Sequence, residues 1–361
     1  MAAAKTPNPA ASPPSLSFPR ATFAKLSPHP FLLAHLQPST PDTPVRRPNG
    51  RAPSQFRVPQ KHAGSLSHAS GSAVVRLGDT AVVCGVRGEI LLASNVGSGA
   101  GNDSDGEVQA LGLLVPNVEL STGCSPAHLP GQPPSPLAQT LASRLQTLLH
   151  TANLIGADEL RITYTPPVAV SDDDAGASGE SPATAVAPKK EEVKAWWTLY
   201  IDVLFISLDG NPFDSAWASI LAALADTRLP HAYWDPDRSC ILCDDAIANS
   251  RSLRMQKLPV ASTFAVYSTK HGAGRRGGEE DSNAGAGAPS KWALADPDAF
   301  EEGLCRESLT VVVDCLEGAA PTIVMLEKHG GAAVGGGEIK ELIRMSTERW
   351  RVWRDLLKGN P

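Results

Sequence analysis

The chain has 361 residues, 42% of them apolar and 19% charged, with a formal net charge of −6. That length supports one large or two modest domains around a substantial core, and the mild acidity excludes a strongly basic nucleic-acid binder. No apolar run reaches a membrane span, and the six cysteines, at 84, 124, 240, 243, 305 and 315, suggest no disulfide framework, so reduced thiols in the cytosol or nucleus are expected.

In chain order, the Ala/Pro/Ser-rich residues 1–16 read as a tail. Before residue 60 the only acid is Asp42, against Lys5, Lys25, Arg20, Arg46, Arg47, Arg51 and Arg57. A solvated, partly disordered arm is expected, with contact to RNA phosphates as the sharper alternative. Prolines at 7, 9, 13, 14, 19, 28 and 30 speak against the amphipathic helix of an organellar leader. Residues 71–93 carry two β-branched runs separated by Gly78-Asp79, which predicts a hairpin. Leu111–Val118 reads as a short strand. Pro136–His150 has apolar residues at 137, 141, 145, 148 and 149, the spacing of a helix. Leu160–Tyr164 leads into an acidic insertion over 166–192, which includes Asp172-Asp173-Asp174.

Ala195–Ser207 resumes as a nearly continuous apolar strand, as in a covered sheet. The turn Leu208-Asp209-Gly210-Asn211-Pro212-Phe213-Asp214 follows, and a helix over Asp214–Ala225 leaves from it. A helix N-terminus that follows a strand is a ready anion site. Here, however, Pro212 lacks an N–H, Phe213 is bulky and Asp214 is anionic. The scaffold for holding phosphate is present without its chemistry. Further on, Val260–Tyr267 is a strand, and 270–290 is a Gly/Ala/Glu-rich insertion. Ser308–Val313 with Thr322–Leu326 makes a hairpin, and Gly335–Lys358 is a long amphipathic helix with Ile339, Leu342, Ile343, Trp350, Trp353 and Leu357 near one stripe. Those tryptophans are expected to pack on the sheet or on a neighbouring subunit. The fold class predicted is α+β, with strand-strand-helix units in both halves.

Other chemistry-bearing patterns are weak. Cys240-Ile241-Leu242-Cys243 has CxxC spacing without a second pair, so no metal site is assigned. Gly330-Gly331 and Gly335-Gly336-Gly337 precede a helix but no Lys-Ser/Thr follows, so they read as turns. His128 and His231 have no recognisable Ser or Cys partner.

Arg47-Pro48-Asn49-Gly50-Arg51, then Gly71-Ser72-Ala73-Val74-Val75-Arg76-Leu77-Gly78-Asp79-Thr80, then Asp202-Val203-Leu204 through Asp209-Gly210, Leu229-Pro230 and Leu309–Val313 occur in an order that resembles the RNase PH family. Val115–Leu120 and Trp292–Pro297 look most like its eukaryotic exosome-ring branch, in particular a ring member without a working active site. The resemblance implies an RNase PH-like fold of two related lobes. Residues 1–44 would be a tail and short arm, 45–235 a first lobe carrying the 166–192 insertion, and 236–361 a second lobe carrying the 270–290 insertion and the C-terminal helix. It also implies head-to-tail dimers closing into a six-member ring, with OB/KH-type cap subunits above, single-stranded RNA threading the channel, and no membrane contact or cofactor. A nuclear and nucleolar location, with a cytoplasmic share, goes with it.

Family enzymes hold phosphate at the turn after Asp-Gly, grip RNA with an arginine-rich loop, and assist the leaving group with acids. Asn211, Pro212 and Phe213 stand at the phosphate turn. Ser121–Pro130 replaces the arginine loop, and of the next helix's arginines only Arg144 is present, aligned to a different face. The acids remain as Asp296, Asp298 and Glu302, although Pro297 between them is expected to remove an N–H from a strand. Arg47, Arg51 and Arg144 are the candidate RNA contacts. The chain is therefore expected to be a non-catalytic RNA-threading ring subunit for 3′→5′ processing and degradation. Two alternatives are an active phosphate-dependent exoribonuclease using residues 296–302 with Arg144, and a freestanding RNA-binding module using the basic arm.

Overall fold

Proline placement shapes the start of the chain. In the computed structural model, α1 (Arg20–Leu26) begins directly after Pro19, and α2 (Pro28–Leu36) carries Pro28 at its first position. A missing N–H is harmless there. The prolines here bound two short helices over residues 20–36, and the apolar residues of α2 gather on no single face, so no amphipathic leader helix forms among these residues. The structure describes residues 18–38, 43–96, 104–129, 135–166, 191–268, 291–315, 320–330 and 334–359; the tail 1–17, the Asp172–Asp174 run and most of both insertions (167–190 and 269–290) lie outside these. The chain divides into a smaller unit, residues 1–53 with 268–292, and a larger one, residues 54–267 with 293–361.

In the smaller unit Phe23 and Phe31 meet edge to face at 6.0 Å, and Arg20 donates to the Pro48 carbonyl at 3.1 Å. The Arg-Pro-Asn-Gly-Arg stretch is a closed turn, with Arg47 N–H bonded to the Arg51 carbonyl at 2.8 Å and Gly50 at φ +85°.

The larger unit contains β1 (Pro59–Ala63), β2 (Gly71–Leu77), β3 (Thr80–Leu92), α3 (Ser104–Ala110), β4 (Leu114–Leu120), α4 (Pro136–Ala152), α5 (Ala157–Leu160), β5 (Arg161–Tyr164), β6 (Glu192–Ser207) and α6 (Pro212–Asp226). The β2–β3 hairpin turns at Gly78-Asp79, with Leu77 opposite Thr80 and Gly78 at φ +59°. The sheet order is β1-β2-β3-β6-β4, with β5 also on β6; β4 runs parallel to β6. Strand β4 starts three residues later than its apolar run predicts, because Leu111 and Gly112 close α3, with Gly112 at φ +61°. Helices α4 and α6 pack Leu141, Leu145, Leu148, Ile220 and Leu224 into the same core as Val75, Val82, Cys84, Leu199, Ile201 and Val203.

After the short β7 (Arg228–Leu229) come the hairpin β8 (Ala232–Asp235) and β9 (Cys240–Cys243), then β10 (Arg251–Ser252), which pairs with β7. Cys240 and Cys243 are three apart on a strand and so face opposite ways. A second sheet has the order β12-β11-β13-β14, from β11 (Val260–Ser268), β12 (Lys291–Ala295), β13 (Glu307–Asp314) and β14 (Thr322–His329). Between β12 and β13 lies α7 (Ala299–Leu304), and α8 (Gly336–Lys358) follows β14. Trp217 of α6 donates to the Pro259 carbonyl and Trp350 of α8 to that of Leu258, each at 2.7 Å, so the two helices flank one segment. Trp350 and Trp353 are 6% and 2% exposed, and their packing is inside this chain; the subunit contact considered for them is corrected.

Candidate functional site

Strand β6 delivers the chain to the turn at 208–211, where two consecutive residues are left-handed: Gly210 at φ +70° and Asn211 at φ +50°. A Cβ on Gly210 would lie 2.4 Å from the Asp298 carbonyl carbon, so only glycine lets the two backbones approach this closely. Thr80 Oγ1 accepts from Asp209 N–H at 2.9 Å and donates to the Gly210 carbonyl at 3.2 Å. Arg57 Nη1 donates to the Asp209 carbonyl at 2.8 Å. The turn is thus clamped by its neighbours.

The same turn sits on an internal ion-pair network. Arg57 donates to Asp296 through its backbone N–H and Nε, each at 2.9 Å, and through Nη2 at 2.8 Å. Asn211 Nδ2 bridges Asp296 Oδ1 at 2.7 Å and Asp214 Oδ2 at 2.9 Å. Asp214 also accepts from Thr263 N–H at 2.9 Å, from Thr263 Oγ1 at 2.7 Å and from Arg349 Nη1 at 2.7 Å. Two carboxylates and two guanidinium groups thereby neutralise one another below the turn. Burial alone would raise the Asp296 pKa, but the Arg57 hydrogen bond and the Arg349 and Arg57 charges hold it well below the usual carboxylate range.

Above the turn, Arg144 points to the site and not away from it, which corrects the face assigned from sequence. Its guanidinium lies 4.1 Å from the centre of the Phe213 ring, while Nε donates to Glu327 Oε2 at 2.9 Å and Nη2 to Thr310 Oγ1 at 3.3 Å. Phe213 therefore occupies the cationic face that an anion would need, and Glu327 takes the charge. Asn211, Pro212, Phe213, Arg144, Glu302 and Glu307 line a cavity of about 290 Å³. Its lining has one paired cation and two carboxyl side chains, which disfavours phosphate.

The acids have separate roles. Asp298 is the N-cap of α7, accepting from Glu301 N–H at 2.9 Å in a reciprocal capping box with Glu301. Glu302 Oε1 accepts from Asn211 N–H at 2.7 Å. Crowding of its carboxyl by protein atoms pushes Glu302 up to about 7, with Asp214 and Asp296 adding to the rise against the pull of the Asn211 N–H and Arg57. The residue keeps an exposed flank, so solvent screens part of this effect. Pro297 removes nothing from a strand: β12 ends at Ala295, and Asp296 is left-handed at φ +51°.

The stretch replacing the arginine loop folds back on β6. Ser121 Oγ donates to the Phe205 carbonyl at 2.5 Å, and Leu208 N–H to the Cys124 carbonyl at 2.9 Å. Of the other candidate RNA contacts, Arg47 is 1% exposed and presents no guanidinium to solvent, while Arg51 is half-buried. Sequence reasoning missed Arg57, Arg349 and Glu327. Arg349 had a readable signal: it lies seven residues after Leu342, on the apolar stripe of α8, where an unpaired charge does not belong.

Residues 55–230 match the model of the 3′ exoribonuclease family, domain 1. Over 335 residues the chain is 29% identical to the exosome complex component rrp43 of Schizosaccharomyces pombe, covering 93% of this chain and 97% of that one. It is 24% identical over 304 residues to the exosome complex component Rrp42 of Methanosarcina mazei, covering 84% and 85%. Its fold is similar to a chain in the structure of the Archaeoglobus fulgidus exosome with RNA bound to the active site, with TM-score 0.62, 20% identity, and 93% and 100% coverage. It is also similar to a chain of an archaeal exosome core, with TM-score 0.56, 19% identity, and 95% and 100% coverage. The family match over residues 55–230, a second sheet packed into the same core, and relatives aligned along nearly the whole length show an RNase PH domain and an RNase PH-like fold in this chain.

Proposed function

We propose that the chain is a non-catalytic subunit of the exosome core ring, supporting the assembly and guiding single-stranded RNA for 3′→5′ processing and degradation. The carrying observation is the Arg144–Phe213 stack over a proline-started helix, with Glu327 neutralising the arginine. A phosphate nucleophile would have to displace an aromatic ring and approach two carboxyl groups, and each missing oxyanion donor forgoes about 3–4 kcal/mol of transition-state stabilisation. The relatives' names, exosome complex components, support the exosome assignment. Its partners would be other RNase PH-like subunits and OB/KH-type caps, in the nucleus, nucleolus and cytoplasm. Exposed apolar side chains on β6 (Ile206, 53%) and β14 (Ile323, 44%, and Leu326, 47%) supply surface for such contacts.

The test is affinity purification of the tagged chain from its own cells, followed by RNA digestion with and without inorganic phosphate. Co-purification of RNase PH-like and cap subunits, without phosphate-dependent release of nucleoside diphosphates, is expected. Isolation of the chain alone, or phosphate-dependent products lost in Glu302→Gln, would overturn the reading. The enzymatic alternative draws on one observation: a carboxyl near 7 suits a general acid.

A further inference from the structure

On the far side of the Arg57 and Arg349 ion pairs, the segment 54–59 and the middle of α8 enclose a groove of about 280 Å³. Its floor includes Arg349, whose side chain is 4% exposed. Arg349 Nη1 is bound to Asp214, but Nη2 has no hydrogen-bond partner among the described residues. A guanidinium carries five N–H donors in a fixed fork, and a buried donor without an acceptor is costly. The lining also includes Arg57, paired with Asp296, and Arg344, paired with Glu341 and Glu348. Apart from Ser54, its remaining lining is apolar, with Val58 77% exposed and Val352 51% exposed.

We infer that this groove docks a short segment of a partner protein in which a Glu or Asp side chain sits next to an apolar one. The carboxylate would complete the Arg349 fork, which matches its geometry, and the apolar neighbour would cover Val58 and Val352. A protein segment fits better than RNA. Bases need an open aromatic face, yet Trp353 is 2% exposed and the Phe56 ring already carries Arg349 at 4.5 Å. The volume lies just below the range of small-molecule sites and suits one or two side chains. This inference does not rest on the loss of catalysis.

The probe is a fluorescent hexapeptide of alternating leucine and glutamate, titrated by anisotropy with the full chain in the complex in which it purifies. Saturable binding is expected, weakened roughly tenfold or more by Val352→Asp and, separately, by Arg344→Glu. Both positions are exposed, so the fold should survive each change, with Val352→Asp leaving the melting curve unchanged and Arg344→Glu lowering it only by its lost pairs to Glu341 and Glu348. Replacing the peptide's glutamates with glutamine should weaken binding similarly, and a hexanucleotide RNA should not compete. No saturable binding, equal affinity in both variants, or equal affinity of the glutamine peptide would overturn the inference. Displacement by the RNA would overturn it too, and would assign the groove to phosphate.

Discussion

Replacing Asp296 with asparagine changes almost no volume but removes the charge at the centre of the internal network. Asp296 is fully buried, its partner Arg57 has a side chain only 7% exposed, and the carboxylate accepts three hydrogen bonds from Arg57 and one from Asn211. Asparagine offers one acceptor oxygen and one donor amide, so in either rotamer an N–H faces an N–H. Breaking a buried, hydrogen-bonded pair from one side costs about 3–5 kcal/mol, because the surviving charge is left without a counter-ion. Urea denaturation at pH 7, followed by far-UV circular dichroism, should show that loss at unchanged slope, with melting lowered on the order of 10 °C. The double variant Arg57→Met/Asp296→Leu should recover much of it, since no orphaned charge remains. The pair also sets an acid limit. The folded-state pKa of Asp296 is depressed, so its contribution is present above the unfolded value of about 3.9 and is lost as pH falls below it. Asp296→Asn should lack this dependence. A variant within about 0.5 kcal/mol of the parent would refute the claim that these residues hold the turn to the second sheet.

The remaining predictions use the same assays. Gly210→Ala should destabilise by more than about 1 kcal/mol, because it needs φ +70° and drives a Cβ into the Asp298 backbone; a neutral result would contradict that close approach. Trp217→Ala should cost about 3–5 kcal/mol, since the ring is 1% exposed and its N–H reaches the Pro259 carbonyl. Glu302 is raised in the folded state to about 7, so its contribution is greatest at low pH and declines as pH rises from about 4.3 to 7. Glu302→Gln should flatten that decline and stabilise the chain at pH 8 by less than about 1 kcal/mol after solvent screening; an unchanged pH profile would place the Glu302 carboxyl in open water.

Much of this molecule is legible from local pattern. The β-branched runs around Gly78-Asp79, the helical spacing of Leu141, Leu145 and Leu148, and the amphipathic stripe of α8 each follow from side-chain period and turn chemistry, which act over a few residues. The same holds for the chemistry missing from the turn: proline has no N–H wherever it is placed. Tertiary structure decided what the surviving charged residues do. Asp296 and Arg57 are 239 positions apart, and Asp214 and Arg349 are 135 apart, so no local rule pairs them. The direction of Arg144 depends on Glu327 and Phe213 arriving from other elements, and the fate of Asp298 depends on the start of α7. Composition and spacing determine which groups are available. Only the folded chain determines which of them neutralise one another, because a hydrogen-bonded ion pair needs its groups within a few ångströms in space and is blind to sequence distance.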